Sequence, residues 1–146
     1  MTNEKIIFVC HANYCRSPVA EKIFNNINQN KSIYAESAGI APFKYAGMDP
    51  RSIRYLDSIG IKDVDHFSKK IDKSYINKAS KVYVFDYIIF LNICEVYKNQ
   101  LDKIEILHTG DKSVIEDPYK LESFKHYELC MNKIKIAVEK LLKDVH

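Results

Sequence analysis

The apolar run Ile6-Ile7-Phe8-Val9 has no polar residue at alternate positions, so a strand built from it has no face to give to water. It belongs inside a sheet covered on both sides, the situation of parallel strands whose crossover helices lie on the two faces. The next segments of the chain meet that demand. Residues 17–24 (SPVAEKIF) begin with a good capping serine and a proline suited to the first helical position, and Val19, Ile23 and Phe24 recur at helical spacing. Residues 32–38 give a second short strand leading into Gly39, and 40–47 read as a surface loop. Asp49-Pro50 opens a helix with Ile53, Leu56 and Ile59 as its buried stripe and Gly60 as its close. Residues 81–86 (KVYVFD) and 103–107 (KIEIL) supply two further strands, and 121–142 predict a long amphipathic helix burying Phe124, Leu129, Ile134, Val138 and Leu141.

Strands alternating with helices predict an α/β fold in three layers, a four-stranded parallel sheet flanked by helices on both faces. A chain of 146 residues, 47% hydrophobic and 28% charged, suits one domain spanning residues 1–146. Its formal charge of +3 is spread over interspersed acidic and basic residues and does not make a nucleic-acid surface. No apolar run approaches the roughly 18 to 20 residues that span a bilayer, and the N-terminus lacks a cationic and then apolar leader, so a cytoplasmic location without membrane insertion is expected. Cys10, Cys15, Cys94 and Cys130 show neither zinc-ribbon pairs nor the density of a disulfide scaffold. Reduced thiols and no metal are expected.

In such folds ligands gather at the carboxyl ends of the strands, where Cys10 falls. The loop His11-Ala12-Asn13-Tyr14-Cys15-Arg16 runs from that strand end straight into a helix N-terminus. Loop and first-turn N–H groups converge there as an anion nest, and a helix N-terminus or a nearby cation favours a thiolate over a thiol. Arg16 offers a planar fork able to grip two phosphate oxygens at once, and it is one of only three arginines, with Arg51 and Arg54, in a chain of nineteen lysines. Ser17 adds a hydroxyl beside it. Taken singly, these residues also fit a strand-end cysteine, a solvated cation and a helix cap. Their placement between strand and helix argues for a nucleophile in a phosphate cradle.

The string VCHANYCRSPVAE, residues 9–21, resembles the signature of the low-molecular-weight protein tyrosine phosphatases, V-C-x-G-N-x-C-R-S-P-x-A-E. Ordered matches extend the resemblance over nearly the whole chain: Ser37-Ala38-Gly39, HFSKKI at 66–71, Phe85-Asp86 and Ile115-Glu116-Asp117-Pro118-Tyr119. The resemblance implies hydrolysis of phosphotyrosine or other aryl phosphomonoesters without a cofactor, through a phosphocysteine on Cys10, with Arg16 binding phosphate and Asp117 as general acid. It implies a supporting network of Asn13, Ser17, Ser37 and His66, in which Asn13 holds a left-handed turn of the kind asparagine tolerates. It places Phe43, Tyr45 and Tyr119 in the cleft walls, where aromatic faces sandwich a phenyl ring. It further implies a Cys10–Cys15 disulfide that shields the nucleophile from irreversible oxidation. On its own, Asp117 fits a turn residue before proline, and His66 an ordinary partly buried histidine.

The departures from the signature carry expectations too. Ala12 stands at the family's loop glycine, and a positive φ there brings strain of about 1 kcal/mol. His11 and Tyr14 enlarge the rim and bear on selectivity, and Lys120 replaces the second tyrosine of a pair found after Asp-Pro in many relatives. Residues 87–96 (YIIFLNICEV) are expected in the core, or, where exposed, as a surface for weak self-association. The expected partner is a phosphotyrosine protein or a small aryl phosphate. Two alternatives compete: a catalytically weak phosphotyrosine-binding module, which has no use for Asp117, and an arsenate reductase, whose closely spaced further cysteine pair is missing here.

Overall fold

The central strand is the one that the apolar run requires. In the computed structural model, which describes residues 3–44, 46–110 and 114–145, β1 (Glu4–Cys10) buries every residue from Ile6 to Cys10. It is followed by α1 (Ser17–Ile27), β2 (Ile33–Gly39), α2 (Pro50–Ser58), α3 (Lys73–Lys78), β3 (Lys81–Val84), α4 (Tyr87–Val96), a 3-10 turn at Lys98–Lys103, β4 (Ile104–Ile106) and α5 (Phe124–Val145). The sheet is parallel throughout in the order β2-β1-β3-β4, with Cys10 opposite Gly39, Val9 opposite Val84 and Val84 opposite Ile106.

This order positions the site. The chain leaves β1 through α1 to reach β2 on one side, and later pairs β3 on the other. Right-handed crossovers in opposite directions put α1 and α4 on opposite faces. Helices α1, α2 and α5 pack on one another, α3 lies against β1 and α4 against β4. The crevice beyond the carboxyl ends of β1 and β3 is therefore the topological switch point, the place where such sheets hold ligands. Cys10 ends β1 there, and Asp86 follows two residues after β3.

Several local expectations are corrected. Ser17 does not cap α1: Arg16 occupies the cap position in a helical conformation without a side-chain cap bond, and the Ser17 hydroxyl turns into the loop instead. In α2 the buried residues are Ser52, Tyr55 and Leu56, because the helix faces α5 through Ser52–Tyr127 and Tyr55–Asn132 hydrogen bonds; Ile53 and Ile59 are only half-buried. In α5 the inward stripe runs through Tyr127, Cys130, Met131, Ile134, Ala137 and Val138, at 3–4 residue intervals, which leaves Leu129 outside and Leu141 and Phe124 at the margin. Helix α4 buries only Ile89 and Ile93, while Ile88 is 79% and Leu91 67% exposed, so most of this apolar segment is surface and not core. Helix α3 buries a single residue, Ile76, and so carries no apolar periodicity that predicts a helix.

Phe8, fully buried, meets the rings of Phe24, Tyr83 and Phe85 at centroid distances of 6.1, 5.9 and 6.4 Å. Gly39 lies against the loop after β1: a Cβ on it would stand 2.7 Å from the Asn13 nitrogen and 2.8 Å from the His11 carbonyl oxygen. Phe8→Ala is expected to lower unfolding stability in urea by about 3–5 kcal/mol, against within about 0.5 kcal/mol for Phe67→Ala at a position 80% exposed. Gly39→Ala forces backbone against backbone and is expected to lower the unfolding temperature by the equivalent of about 1–3 kcal/mol; calorimetry returning the wild-type value contradicts the close approach.

Candidate active site

The loop between β1 and α1 is shaped by one left-handed residue. Asn13, completely buried, has φ of 54° and is the one non-glycine among the described residues with positive φ. Its neighbours hold it there. The Asn13 carbonyl accepts from Ser68 Oγ and from His66 Nε2, both at 2.8 Å, and its Oδ1 accepts from the Lys69 backbone N–H at 3.0 Å. Its Nδ2 donates to Ser17 Oγ at 2.7 Å. Having accepted that bond, Ser17 directs its own O–H toward Cys10 Sγ, 3.0 Å away, or the Ala38 carbonyl at 3.4 Å.

Two expectations for this loop change. Ala12 has no positive φ, so the conformational strain expected of an alanine there is absent. Ser37 is not brought into the network: its hydroxyl donates to Glu21 Oε1 at 2.8 Å, since a strand residue two places before Gly39 sits roughly 6.5 Å short of the loop. Ser68, which the residue types alone did not single out, takes the corresponding place.

Arg16 is 1% exposed. Its NH1 donates to Asp86 Oδ2 at 2.9 Å and to the Ile115 carbonyl at 2.7 Å, and its guanidinium carbon lies 5.6 Å from the centroid of the Phe85 ring. NH2 is 3.9 Å from Asp117 Oδ2. Asp86 meanwhile caps α4, Oδ1 accepting from the Ile89 N–H at 2.9 Å. The capping role was legible in an aspartate between strand and helix; nothing local announced that its other oxygen would meet an arginine 70 positions away.

Cys10, Arg16, Asp117, Tyr14, Phe43 and Tyr119, with His11, Ala12 and Cys15, line one cavity of about 50 Å³. The rings of Tyr14, Phe43 and Tyr119 touch across it, with centroids 5.2 Å apart for Tyr14–Phe43, 6.1 Å for Tyr14–Tyr119 and 5.4 Å for Phe43–Tyr119. Tyr14 thus belongs to the aromatic wall and not merely to the rim; Tyr45 lies outside the described residues. Asp117 stands half-open at the mouth, its Oδ1 accepting from the Tyr119 N–H at 3.1 Å. The cavity therefore combines a thiol with a hydroxyl partner, an anchored guanidinium, a carboxyl group and aromatic faces, drawn from distant parts of the chain.

Cys15, on the same loop, is buried and unbridged. Burial pushes its thiol far up from the ordinary range, and it donates to Asp49 Oδ2 at 3.5 Å. Burial by itself raises the Asp49 carboxyl, yet hydrogen bonds from the Arg51 side chain and backbone, with the Arg51 charge, hold it below the usual carboxylate value.

The family model of the low molecular weight phosphotyrosine protein phosphatases matches residues 5–146. Low molecular weight phosphotyrosine protein phosphatase 1 of Drosophila melanogaster is 27% identical over an alignment 155 positions long, covering 96% of each chain. The crystal structure of a low molecular weight protein tyrosine phosphatase from T. tengcongensis superposes with a TM-score of 0.88 at 26% identity, over 97% of this chain and 99% of that one. The YwlE arginine phosphatase from Geobacillus stearothermophilus superposes equally, with a TM-score of 0.88 over 97% of this chain and 92% of that one; its 23% identity speaks for the fold alone. The match runs from β1 to α5 and takes in every segment that lines the cavity, and on that ground the chain belongs to the low molecular weight phosphotyrosine protein phosphatase family.

Proposed function

We propose that this protein hydrolyses aryl phosphomonoesters, above all phosphotyrosine in proteins, by two successive displacements at Cys10. In the first, the Cys10 thiolate attacks phosphorus: an S–P bond forms, the P–O bond to the phenol breaks, and Asp117 gives its proton to the departing oxygen. In the second, Asp117 takes a proton from water as its oxygen attacks phosphorus, the S–P bond breaks, and inorganic phosphate leaves with the thiolate restored. Arg16 and the loop N–H groups hold the transferring group's oxygens. With NH1 committed to Asp86 and Ile115, Nε and NH2 serve as the fork. The Ser17 hydroxyl, fed by Asn13, donates to the sulfur as it becomes the leaving group.

The observation that carries this reading is the convergence of Cys10, Arg16 and Asp117 on one cavity walled by aromatic rings. A thiol, a guanidinium and a carboxyl group are the parts that cysteine-based phosphoryl transfer requires, and a binding module needs no acid at the mouth. The absence of positive φ at Ala12 also removes the backbone strain by which an alanine in the phosphate cradle would impair turnover. A Cys10–Cys15 disulfide belongs to this reading: after peroxide converts the Cys10 thiolate to a sulfenic acid, Cys15 gives up the proton it directs at Asp49 and its sulfur displaces the sulfenic oxygen as water.

With p-nitrophenyl phosphate and a phosphotyrosine peptide across pH 5 to 8, Cys10→Ser is expected to abolish turnover. Asp117→Asn is expected to lower it about a hundredfold or more, and quenched wild type to carry one phosphoryl group on Cys10 by mass spectrometry. Turnover surviving in Cys10→Ser overturns the mechanism. A phosphoarginine peptide belongs in the same series, since preference for it reassigns the substrate while keeping the chemistry.

His66 gives a pH signature. Burial holds its imidazole below the ordinary value, and the hydrogen bond to the Asn13 carbonyl offsets part of that shift. The folded value is thus below the unfolded one of about 6.5, so unfolding takes up protons and the stability contribution, complete above that pH, is lost as pH falls toward the folded value. Between pH 7.5 and 5.5 the unfolding temperature of wild type is expected to fall more than that of His66→Gln, which keeps an N–H donor but does not titrate; parallel falls count against the assignment.

A further inference from the structure

The carboxyl group proposed as general acid sits on a segment, 114–123, that belongs to no helix or strand, so its placement depends on side chains brought from elsewhere. On one side Arg16 holds the Ile115 carbonyl. On the other stands Arg51, in the first turn of α2. Its NH1 donates to the Leu121 carbonyl at 2.7 Å and its NH2 to the Tyr119 carbonyl at 3.0 Å, the two acceptors lying four and two residues beyond Asp117.

The same guanidinium grips Asp49 with two bonds, Nε to Oδ1 at 3.1 Å and NH2 to Oδ2 at 2.7 Å, and rests 4.2 Å from the centroid of the Tyr127 ring. Asp49, 3% exposed, in turn reaches the phosphate loop: its N–H donates to the Tyr14 carbonyl at 3.0 Å and its Oδ2 accepts from Cys15 Sγ at 3.5 Å. An unbroken path of hydrogen bonds therefore runs from the phosphate loop through Asp49 and Arg51 to the segment bearing Asp117. Arg51 itself does not line the cavity.

We propose that Arg51 is a positioning residue for the general-acid step: backed by Asp49, it fixes the acid segment at a set distance from the phosphate loop. This rests on the assignment of Asp117 as the acid. Lysine substitutes only in part, because one ammonium on a flexible stem does not hold two carbonyls and both oxygens of a carboxylate in a plane. In a chain with nineteen lysines and three arginines, a guanidinium stands where a rigid fork is needed.

The test compares kcat/KM, which reports through the first displacement, for phenyl phosphate and 2,4-dinitrophenyl phosphate in Arg51→Met, Arg51→Lys, Asp117→Asn and the Arg51→Met/Asp117→Asn double variant, with inorganic phosphate inhibition as a measure of the cradle. Phenol leaves only with a proton, whereas dinitrophenolate leaves without one. Arg51→Met is expected to lose about tenfold to a hundredfold on phenyl phosphate and under about twofold on the dinitrophenyl ester, Arg51→Lys to fall between it and wild type, and the double variant to match Asp117→Asn alone. Equal losses on both esters, a matching weakening of phosphate inhibition, or additive losses in the double variant overturn the proposal while leaving the acid in place. If Asp117→Asn loses equally on both esters, the acid assignment and this inference fall together. Should Arg51→Met not fold, Arg51→Lys and its double with Asp117→Asn carry the same comparison.

Discussion

The burial of one guanidinium organises the site. Arg16 is almost inaccessible to water, and a buried charge without partners costs several kcal/mol, so the fold must bring acceptors to it. It does so from two directions: Asp86 from the end of β3 and the Ile115 carbonyl from the segment before Asp117. Satisfying Arg16 therefore draws the phosphate loop, the start of α4 and the acid segment to one point. The arginine that lines the cavity is also the reason these three segments meet.

Much of this was legible in the sequence, and the limits were physical. The sheet class followed from Ile6-Ile7-Phe8-Val9, because an apolar run without alternation has only one kind of environment. The Cys10 loop followed from a strand end, a loop and a helix start in immediate succession, and its identity from the resemblance along the chain. Legibility failed where orientation depended on distant partners. Ser17 was a fair cap by type, but Asn13 and Cys10 had stronger claims on its hydroxyl. Ser37 pointed to Glu21 because strand geometry left it short of the loop. Leu129 and most of α4 face outward because the contact stripe of a helix is set by what it packs on, which composition does not reveal. Asp49 and Arg51 stand at an obvious helix start, yet Arg51 reaches carbonyls some 70 residues away and Asp49 the loop after β1.

The aromatic wall is assembled from three separate parts of the chain. Tyr14 rises from the phosphate loop and meets Phe43 and Tyr119, leaving about 50 Å³ between them, far below the roughly 300 Å³ and more of common ligand pockets. That space is small, and the three rings close over it. The rigid part of the site is thus its floor, fixed by hydrogen bonds, and the adaptable part is its mouth, built from dispersion contacts that cost little to rearrange.

An all-parallel sheet has no hairpins, so each pairing waits for a crossover, and the site inherits that order. A chain emerging from its N-terminus presents Cys10, Arg16 and α1 early, while Asp86, Asp117, the carbonyls that Arg51 holds and the Tyr127 ring beneath it come progressively later. Cys10 is made first and Asp117 near the last, and the contacts of Arg51 between them are completed only when α5 has been synthesised and docked. The cavity is therefore completed late in synthesis, and a chain truncated before Asp117 carries Cys10 without the carboxyl group at its mouth.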